Sequence, residues 1–154
     1  MTTVERDQIY RVNYVSYLIE DSKPVVYVIG RDRSGNRDVV KIYDFYPYFY
    51  VSTDTARKIP MYPWIRMEET DKISILGSPV VRIYCQTPSQ VPRTKELIMN
   101  RGYLTYEADI LFKYVYMKDT DLISGYRKID DHTIVPIDCN FSSLLVLYLS
   151  LIHI

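Results

Sequence analysis

The first half of the chain alternates apolar and polar residues in short runs that are rich in β-branched and aromatic side chains. The run Ile9–Leu18 is followed by turn-forming residues and then by a second apolar run, Pro24–Ile29. Two such runs separated by a turn predict a β-hairpin. A second turn, in which Gly35 and Asn36 tolerate positive φ, leads into the run at 38–45. The sequence therefore predicts a three-stranded antiparallel meander that continues into the next, aromatic segment.

That aromatic segment spans residues 44–51 and reads Asp-Phe-Tyr-Pro-Tyr-Phe-Tyr-Val. Pro47 has no backbone N–H to donate, so a strand here has to run along a sheet edge or bend at this residue. A bent aromatic edge is a suitable wall for a pocket. Residues 53–77 are less regular and contain two prolines that interrupt any element, so we expect a loop, with a short helical turn at 53–58 as an alternative.

The second half combines strands with one helix. A strand is predicted at Val80–Cys85, and Pro88 and Pro92 introduce a helix that Gly102 ends, because proline fits the first helical turn and glycine suits the position after the last one. A strand at 103–106 would follow. The fold class is therefore α+β, with an antiparallel meander or barrel-like sheet plus a ferredoxin-like β-α-β unit.

The remaining elements are predicted less specifically. Residues 110–118 are compatible with either a helix or a strand. Three short strands are predicted after them, at 124–129, 133–137 and 144–149.

The positive and negative charges of the chain are balanced. The chain has 154 residues, 19 Lys and Arg against 19 Asp and Glu, and a formal net charge of zero. No global field therefore attracts a polyanion, and any phosphate contact has to be local. Four basic residues near the second hairpin are candidates for weak, salt-dependent phosphate contacts, with an ordinary solvated face as the alternative: Arg31, Arg33, Arg37 and Lys41.

Several function classes find no support in the sequence. Cys85 and Cys139 lie far apart without metal-type spacing, which is typical of a reducing compartment. The run 130–132, Asp-Asp-His, has side chains that diverge in an extended chain, so we interpret it as a solvated turn rather than a metal site. We predict no catalytic residues. The N-terminus has no secretory pattern and the apolar run at 141–154 is shorter than the ~20 residues of a membrane-spanning helix, which predicts a cytoplasmic protein without a membrane partner.

Four motifs, in this order along the chain, resemble the N-terminal domain of family B DNA polymerases of the archaeal type. They are Val12-Asn13-Tyr14, Pro47-Tyr48-Phe49-Tyr50, Gly77-Ser78-Pro79 with Pro88-Ser89-Gln90-Val91-Pro92, and Tyr106-Glu107-Ala108-Asp109-Ile110-Leu111-Phe112. Leu111 departs from the pattern, because this position is usually proline in the family.

The resemblance implies a pocket that captures a deaminated base, uracil, from the single-stranded template. The residues that it assigns to this base-binding site are Tyr14, Pro47, Tyr48, Pro88, Val91, Pro92 and Phe112. Such a slot needs rigid apolar walls and backbone groups that read the Watson–Crick edge of a flipped base. Ordinary packing of strand aromatics is an equally good account of the same residues.

The resemblance also implies a role in DNA replication, with single-stranded template DNA and the remaining polymerase domains, or a separate polymerase subunit, as partners. Family members use Mg²⁺, whereas we expect no cofactor in this chain, because Ser150–Ile154 stands where the family places its first exonuclease carboxylates. We expect a fragment in which residues 1–130 read the template, 131–149 begin the exonuclease domain and 150–154 form an atypical tail. The alternative is a scaffold that packs against the rest of a split polymerase without binding DNA.

Overall fold

The computed structural model describes residues 9–137, which fall into two compact units. Of the described residues, the first unit contains 9–18, 25–43 and 116–137, and the second unit contains 19–24 and 44–115. The elements in chain order are β1 (Ile9–Glu20), β2 (Lys23–Arg31), β3 (Arg37–Ile42), β4 (Tyr48–Ser52), α1 (Thr53–Lys58), β5 (Ile65–Ile73), β6 (Pro79–Cys85), α2 (Gln90–Met99), α3 (Phe112–Thr120), β7 (Gly125–Asp130) and β8 (Thr133–Ile137).

The first unit is built on a five-stranded sheet with the strand order β3-β2-β1-β7-β8. The predicted meander of three strands is confirmed as β1, β2 and β3, which lie side by side in this sheet. The turn before β3 is held by the Asp32 carboxylate, which accepts hydrogen bonds from the backbone N–H groups of Ser34 and Asn36, both at 2.9 Å. Gly35 takes a φ of 85°, which glycine adopts without steric cost, whereas Asn36 does not need a positive φ.

Tyr126 lies at the centre of this first unit and is fully buried. Its hydroxyl donates to the Asp38 carboxylate at 3.2 Å, and Lys128 Nζ pairs with the same carboxylate at 2.7 Å. Burial, followed by the charge of Asp38, raises the pKa of Tyr126, so the hydroxyl keeps its proton and remains a donor. A Cβ at Gly30 would lie 2.6 Å from that hydroxyl, which explains a glycine within β2.

The second unit is built on a three-stranded antiparallel sheet with the order β4-β6-β5. Reciprocal backbone hydrogen bonds join Tyr50 to Tyr106 on the free side of β4, at 2.9 and 2.8 Å. The elements follow one another as β4, α1, β5, β6 and α2, and then the segment that bridges to β4 at Tyr106. This is the chain order of a ferredoxin-like unit. One face of the sheet packs on α2 in a buried core of Phe49, Val51, Ile83, Cys85, Val91 and Ile98, among others.

The α+β class is confirmed, with corrections to the individual elements. Both sheets are open, so the meander alternative holds and no barrel forms within residues 9–137. The aromatic strand does not continue the meander: β3 ends at Ile42, Asp44 takes a positive φ of 61°, and β4 starts in the other sheet. A strand at 103–106 is reduced to the single bridge at Tyr106.

The loop predicted for 53–77 is wrong, and the alternative of a short helical turn at 53–58 is confirmed. Its first residues form α1, which the Ser52 side chain caps by accepting the Thr55 N–H at 3.1 Å. Its second part forms β5, which pairs with β6. Cross-strand pairing stabilises β5 where the local pattern is weak, because tertiary context outweighs local propensity.

The later elements follow the sequence closely. Residues 112–120 are a helix, and the strands predicted at 124–129 and 133–137 are present as β7 and β8. The predicted strand at 144–149 and the tail at 150–154 lie outside the described residues. None of the helices between residues 9 and 137 has the length and apolar character to cross a membrane.

Candidate nucleic-acid interface

The second unit carries a polar and aromatic surface on the sheet face opposite α2. Strand alternation places Tyr48 and Tyr50 of β4 on this face, since Phe49 and Val51 point into the core that packs on α2. We call that core the helix-side core. The strand registers align Tyr48 with Tyr84 and Arg66 in one row, and Tyr50 with Arg82 and Glu68 in the next. We call these six residues the tyrosine–arginine face.

Arg82 is the centre of the tyrosine–arginine face. Its guanidinium donates to the hydroxyls of Tyr84 and Tyr50, both at 3.0 Å, and its Cζ lies 4.4 Å from the centroid of the Tyr48 ring. Burial acts to lower the pKa of Arg82, but the hydrogen bonds to both tyrosines outweigh it and raise the pKa. The guanidinium therefore stays charged and fixes three tyrosine rings at once.

The β5 edge of this face is open to solvent. Tyr48 and Tyr50 are buried in a cluster that includes Val115, against which Phe45 and Ile110 also pack. Moving from β4 across β6 to β5, exposure rises to the half-buried Tyr84 and then to an Arg66 side chain that is 63% exposed. A ligand can therefore reach the Arg66 and Tyr84 end of the face.

The seven residues assigned to base binding are divided between the two units and differ in exposure. Tyr14 lies in the first unit and is 53% exposed. The other six lie in the second unit, where Pro88 is half-buried and Pro92 is exposed. The remaining four are buried: Pro47, Tyr48, Val91 and Phe112.

The structure brings some of these side chains together and separates others. The Phe45 ring joins Tyr48 to Phe112, with ring centroids 6.4 Å and 5.7 Å away respectively. Val91 instead packs in the helix-side core with Cys85. The Pro47 carbonyl accepts the Cys85 N–H at 3.0 Å, so the backbone rather than a side chain holds Pro47 in place.

The four basic residues assigned to phosphate contacts lie on the β2–β3 hairpin of the first unit. Arg31, Arg33 and Arg37 are exposed, and Arg31 Nη1 donates to the Gly35 carbonyl at 2.8 Å. Lys41 is half-buried, with its ammonium 5.3 Å from the Tyr27 ring centroid. Three exposed guanidinium groups at one hairpin can each provide a modest, salt-dependent phosphate contact.

No metal centre is visible among residues 9–137, where no group of three His, Cys, Asp or Glu side chains is arranged to hold an ion. The Asp-Asp-His run forms a turn in which the Asp130 carboxylate accepts the His132 N–H at 2.8 Å. Cys85 is buried, and burial raises the pKa of its thiol to about 11, although the contact with the Thr94 hydroxyl lowers it somewhat. The thiol is therefore neutral at physiological pH and is not an activated nucleophile.

We expect Cys85 to resist thiol reagents in the native protein. In a Cys139→Ser variant, a colorimetric disulfide reagent at pH 8 should label native protein much more slowly than urea-unfolded protein, because the reactive thiolate is scarce and buried. The raised folded-state pKa also means that the unfolded chain loses this proton first. The thiol's contribution to stability is therefore present below about pH 9 and falls as the pH rises towards about 11.

A Cys139→Ser/Cys85→Ala double variant is the matched control. Its free energy of unfolding should lack the decrease between about pH 9 and pH 11 that ionisation of the Cys85 thiol causes. Equal labelling rates in folded and unfolded protein would contradict the burial of Cys85.

Sequence reasoning did not single out Arg82, Tyr84, Arg66 or Trp64. One signal was available for the first two: Val81–Cys85 alternates strictly, so Arg82 and Tyr84 share the face opposite Val81, Ile83 and Cys85. Their pairing with Tyr48 and Tyr50 depends on a register between distant segments, which alternation does not determine.

Three comparisons with known proteins were informative. No family model matches the sequence. Over an alignment of 116 residues, covering 70% of this chain, the sequence is 33% identical to DNA polymerase 3 of Saccharolobus shibatae. The fold is similar to that of the family B DNA polymerase from the hyperthermophilic archaeon Pyrobaculum calidifontis, with a TM-score of 0.60 and 24% identity over 77% of this chain. The chain spans 15% of the first protein and 17% of the second.

Proposed function

The chain carries an N-terminal domain of the family B DNA polymerase type, and from this premise we propose that it binds single-stranded template DNA and distinguishes uracil from thymine. The observation that carries the proposal is the combination of accessible and rigidly held residues in the four motifs. Tyr14, Pro88 and Pro92 are accessible, whereas Pro47, Tyr48, Val91 and Phe112 are buried. Buried residues of this kind anchor β4, α2 and α3, and the proline-containing segments that adjoin β4 and α2 can then present fixed backbone groups to a base.

The arrangement supports binding rather than catalysis. The Cys85 thiol is neutral at physiological pH, and no metal-ligating cluster occurs between residues 9 and 137. The domain boundaries after residues 130 and 149 and the cytoplasmic location stay predictions.

The test is fluorescence anisotropy of the full chain with two labelled single strands that differ by one uracil for thymine. We expect roughly tenfold tighter binding to the uracil strand, because one methyl group in a fitted slot changes affinity by about that factor. Tyr14→Ala should remove the preference, because Tyr14 is one of the residues assigned to base binding, and as the residue is 53% exposed we expect the fold to be kept. Binding should weaken as salt rises.

Tyr43→Ala is the matched control, because Tyr43 is an exposed tyrosine of the same unit, at 45%, and belongs to none of the four motifs. It should keep the preference for uracil. Equal affinity for both strands would reject uracil recognition and leave general single-strand binding.

A scaffold function is the second candidate, and one observation favours it. The β5–β6 hairpin exposes Ile73 and Leu76, both at 67%, and Ile75 at 93%. Apolar side chains clustered at a hairpin tip are typical of a protein contact. If the chain serves only to pack against further polymerase domains, it should bind neither strand at low salt.

A further inference from the structure

A cleft lies in the second unit, where β5 begins and β6 ends. It has a volume of about 600 Å³. Its lining residues all belong to the second unit and include none of the seven residues assigned to base binding; they are Asp21, Ser22, Lys23, Tyr46, Trp64, Ile65, Arg66, Tyr84, Cys85 and Gln86.

The cleft combines aromatic rings with cationic groups. The Arg66 guanidinium lies 4.3 Å from the centroid of the Tyr84 ring, and Lys23 adds an exposed ammonium group. Tyr46 and Trp64 supply two further aromatic rings. Asp21 is the one carboxylate among the lining residues. Flat aromatic surfaces beside cations are the usual means of holding a base and its phosphate in a single strand.

Trp64 is held rigidly in this cleft. Its Nε1 donates to the Thr94 hydroxyl at 2.7 Å, its ring stacks on Tyr62 with centroids 5.1 Å apart, and the Arg93 guanidinium lies 5.0 Å from the ring centroid. A rigid wall costs little conformational entropy on binding.

The rest of the tyrosine–arginine face does not offer an alternative stacking surface. Tyr48 and Tyr50 are buried beneath the second unit's own residues. Tyr84, with Arg66 beside it, is the tyrosine of the face that remains accessible at the cleft. Of the three tyrosines of this face, Tyr84 is therefore the best placed to stack on a base, and it lines the cleft.

We propose that this cleft binds a nucleotide of single-stranded DNA, as a site separate from the predicted base slot. The choice of DNA as ligand rests on the proposed function. The cleft chemistry itself also fits a free nucleotide, which contains the same base and phosphate, so the experiment has to separate these two sources.

Trp64 is the chain's single tryptophan, so its emission reports on this cleft in the full chain. Titration with a uracil-free oligothymidylate should change that emission in a saturable way. Arg66→Gln should weaken the binding about tenfold, because it removes a stacked cation. Arg101→Gln is the matched control, since Arg101 is another exposed arginine of the same unit and does not line the cleft. It should bind as the unchanged protein does.

Each outcome decides the proposal. An emission change that is weakened by Arg66→Gln and unaffected by Arg101→Gln supports the cleft site. Strand binding detected by anisotropy without any change in Trp64 emission overturns the cleft and leaves the proposed function intact. If thymidine monophosphate binds as tightly as the strand does per nucleotide, the assignment to single-stranded DNA is overturned. Equal weakening by Arg66→Gln and Arg101→Gln overturns the role of the cleft in favour of nonspecific charge.

Discussion

Phe49→Ala should lower the free energy of unfolding by about 3–5 kcal/mol. Phe49 is fully buried in β4, is paired with Ile83 across the sheet, and belongs to the core that packs on α2. Truncation to alanine leaves a cavity at a position where backbone pairing limits collapse. Urea unfolding followed by Trp64 emission measures the effect, since Trp64 packs against the same core.

Tyr114→Ala is the control for this prediction, because it removes a comparable ring whose residue is 49% exposed. We expect a change within about 0.5 kcal/mol, as for most surface substitutions. A similar loss in both variants would show that burial in the helix-side core is not what determines the stability of β4.

Much of the fold follows from local pattern. The hairpin between β1 and β2, the turn at Gly35 and the helix after Pro88 were predictable, because each depends on turn residues and periodicity within a few positions. Within residues 53–77, the sequence offered α1 only as an alternative, and its start depends on a cap from Ser52. The strand β5 was not predictable in this way, because it depends on pairing with β6.

The candidate site was less predictable than the fold. The motifs identified Tyr48 and Phe112, and both are buried, but the residue that joins them is Phe45, which the motifs do not include. Arg66 and Tyr84 meet because antiparallel register pairs them across β5 and β6. Sequence alternation shows which face a residue occupies, whereas its neighbours on that face come from register.

Arg82→Leu should lower the free energy of unfolding by about 2–3 kcal/mol, because the buried hydroxyl of Tyr50 and the half-buried hydroxyl of Tyr84 each lose a charged donor. The effect should not vary between pH 6 and pH 9, since the raised pKa keeps the guanidinium charged throughout. Urea unfolding at both pH values is the measurement. Arg57→Leu, at an exposed position on α1, is the control and should change stability by less than about 0.5 kcal/mol.

Arg82→Lys separates charge from geometry. A lysine ammonium keeps the positive charge but lacks the planar fork that reaches both hydroxyls while lying over the Tyr48 ring, so we expect it to restore only part of the lost stability. The same variant tests the link to function, because Tyr48 is one of the residues assigned to base binding. If Arg82 positions Tyr48 for that purpose, the preference for uracil should fall in Arg82→Lys more than overall strand affinity does. Full stability and an unchanged preference for uracil in Arg82→Lys would show that the positive charge alone is sufficient. The geometry of the guanidinium would then not be what positions the Tyr48 ring.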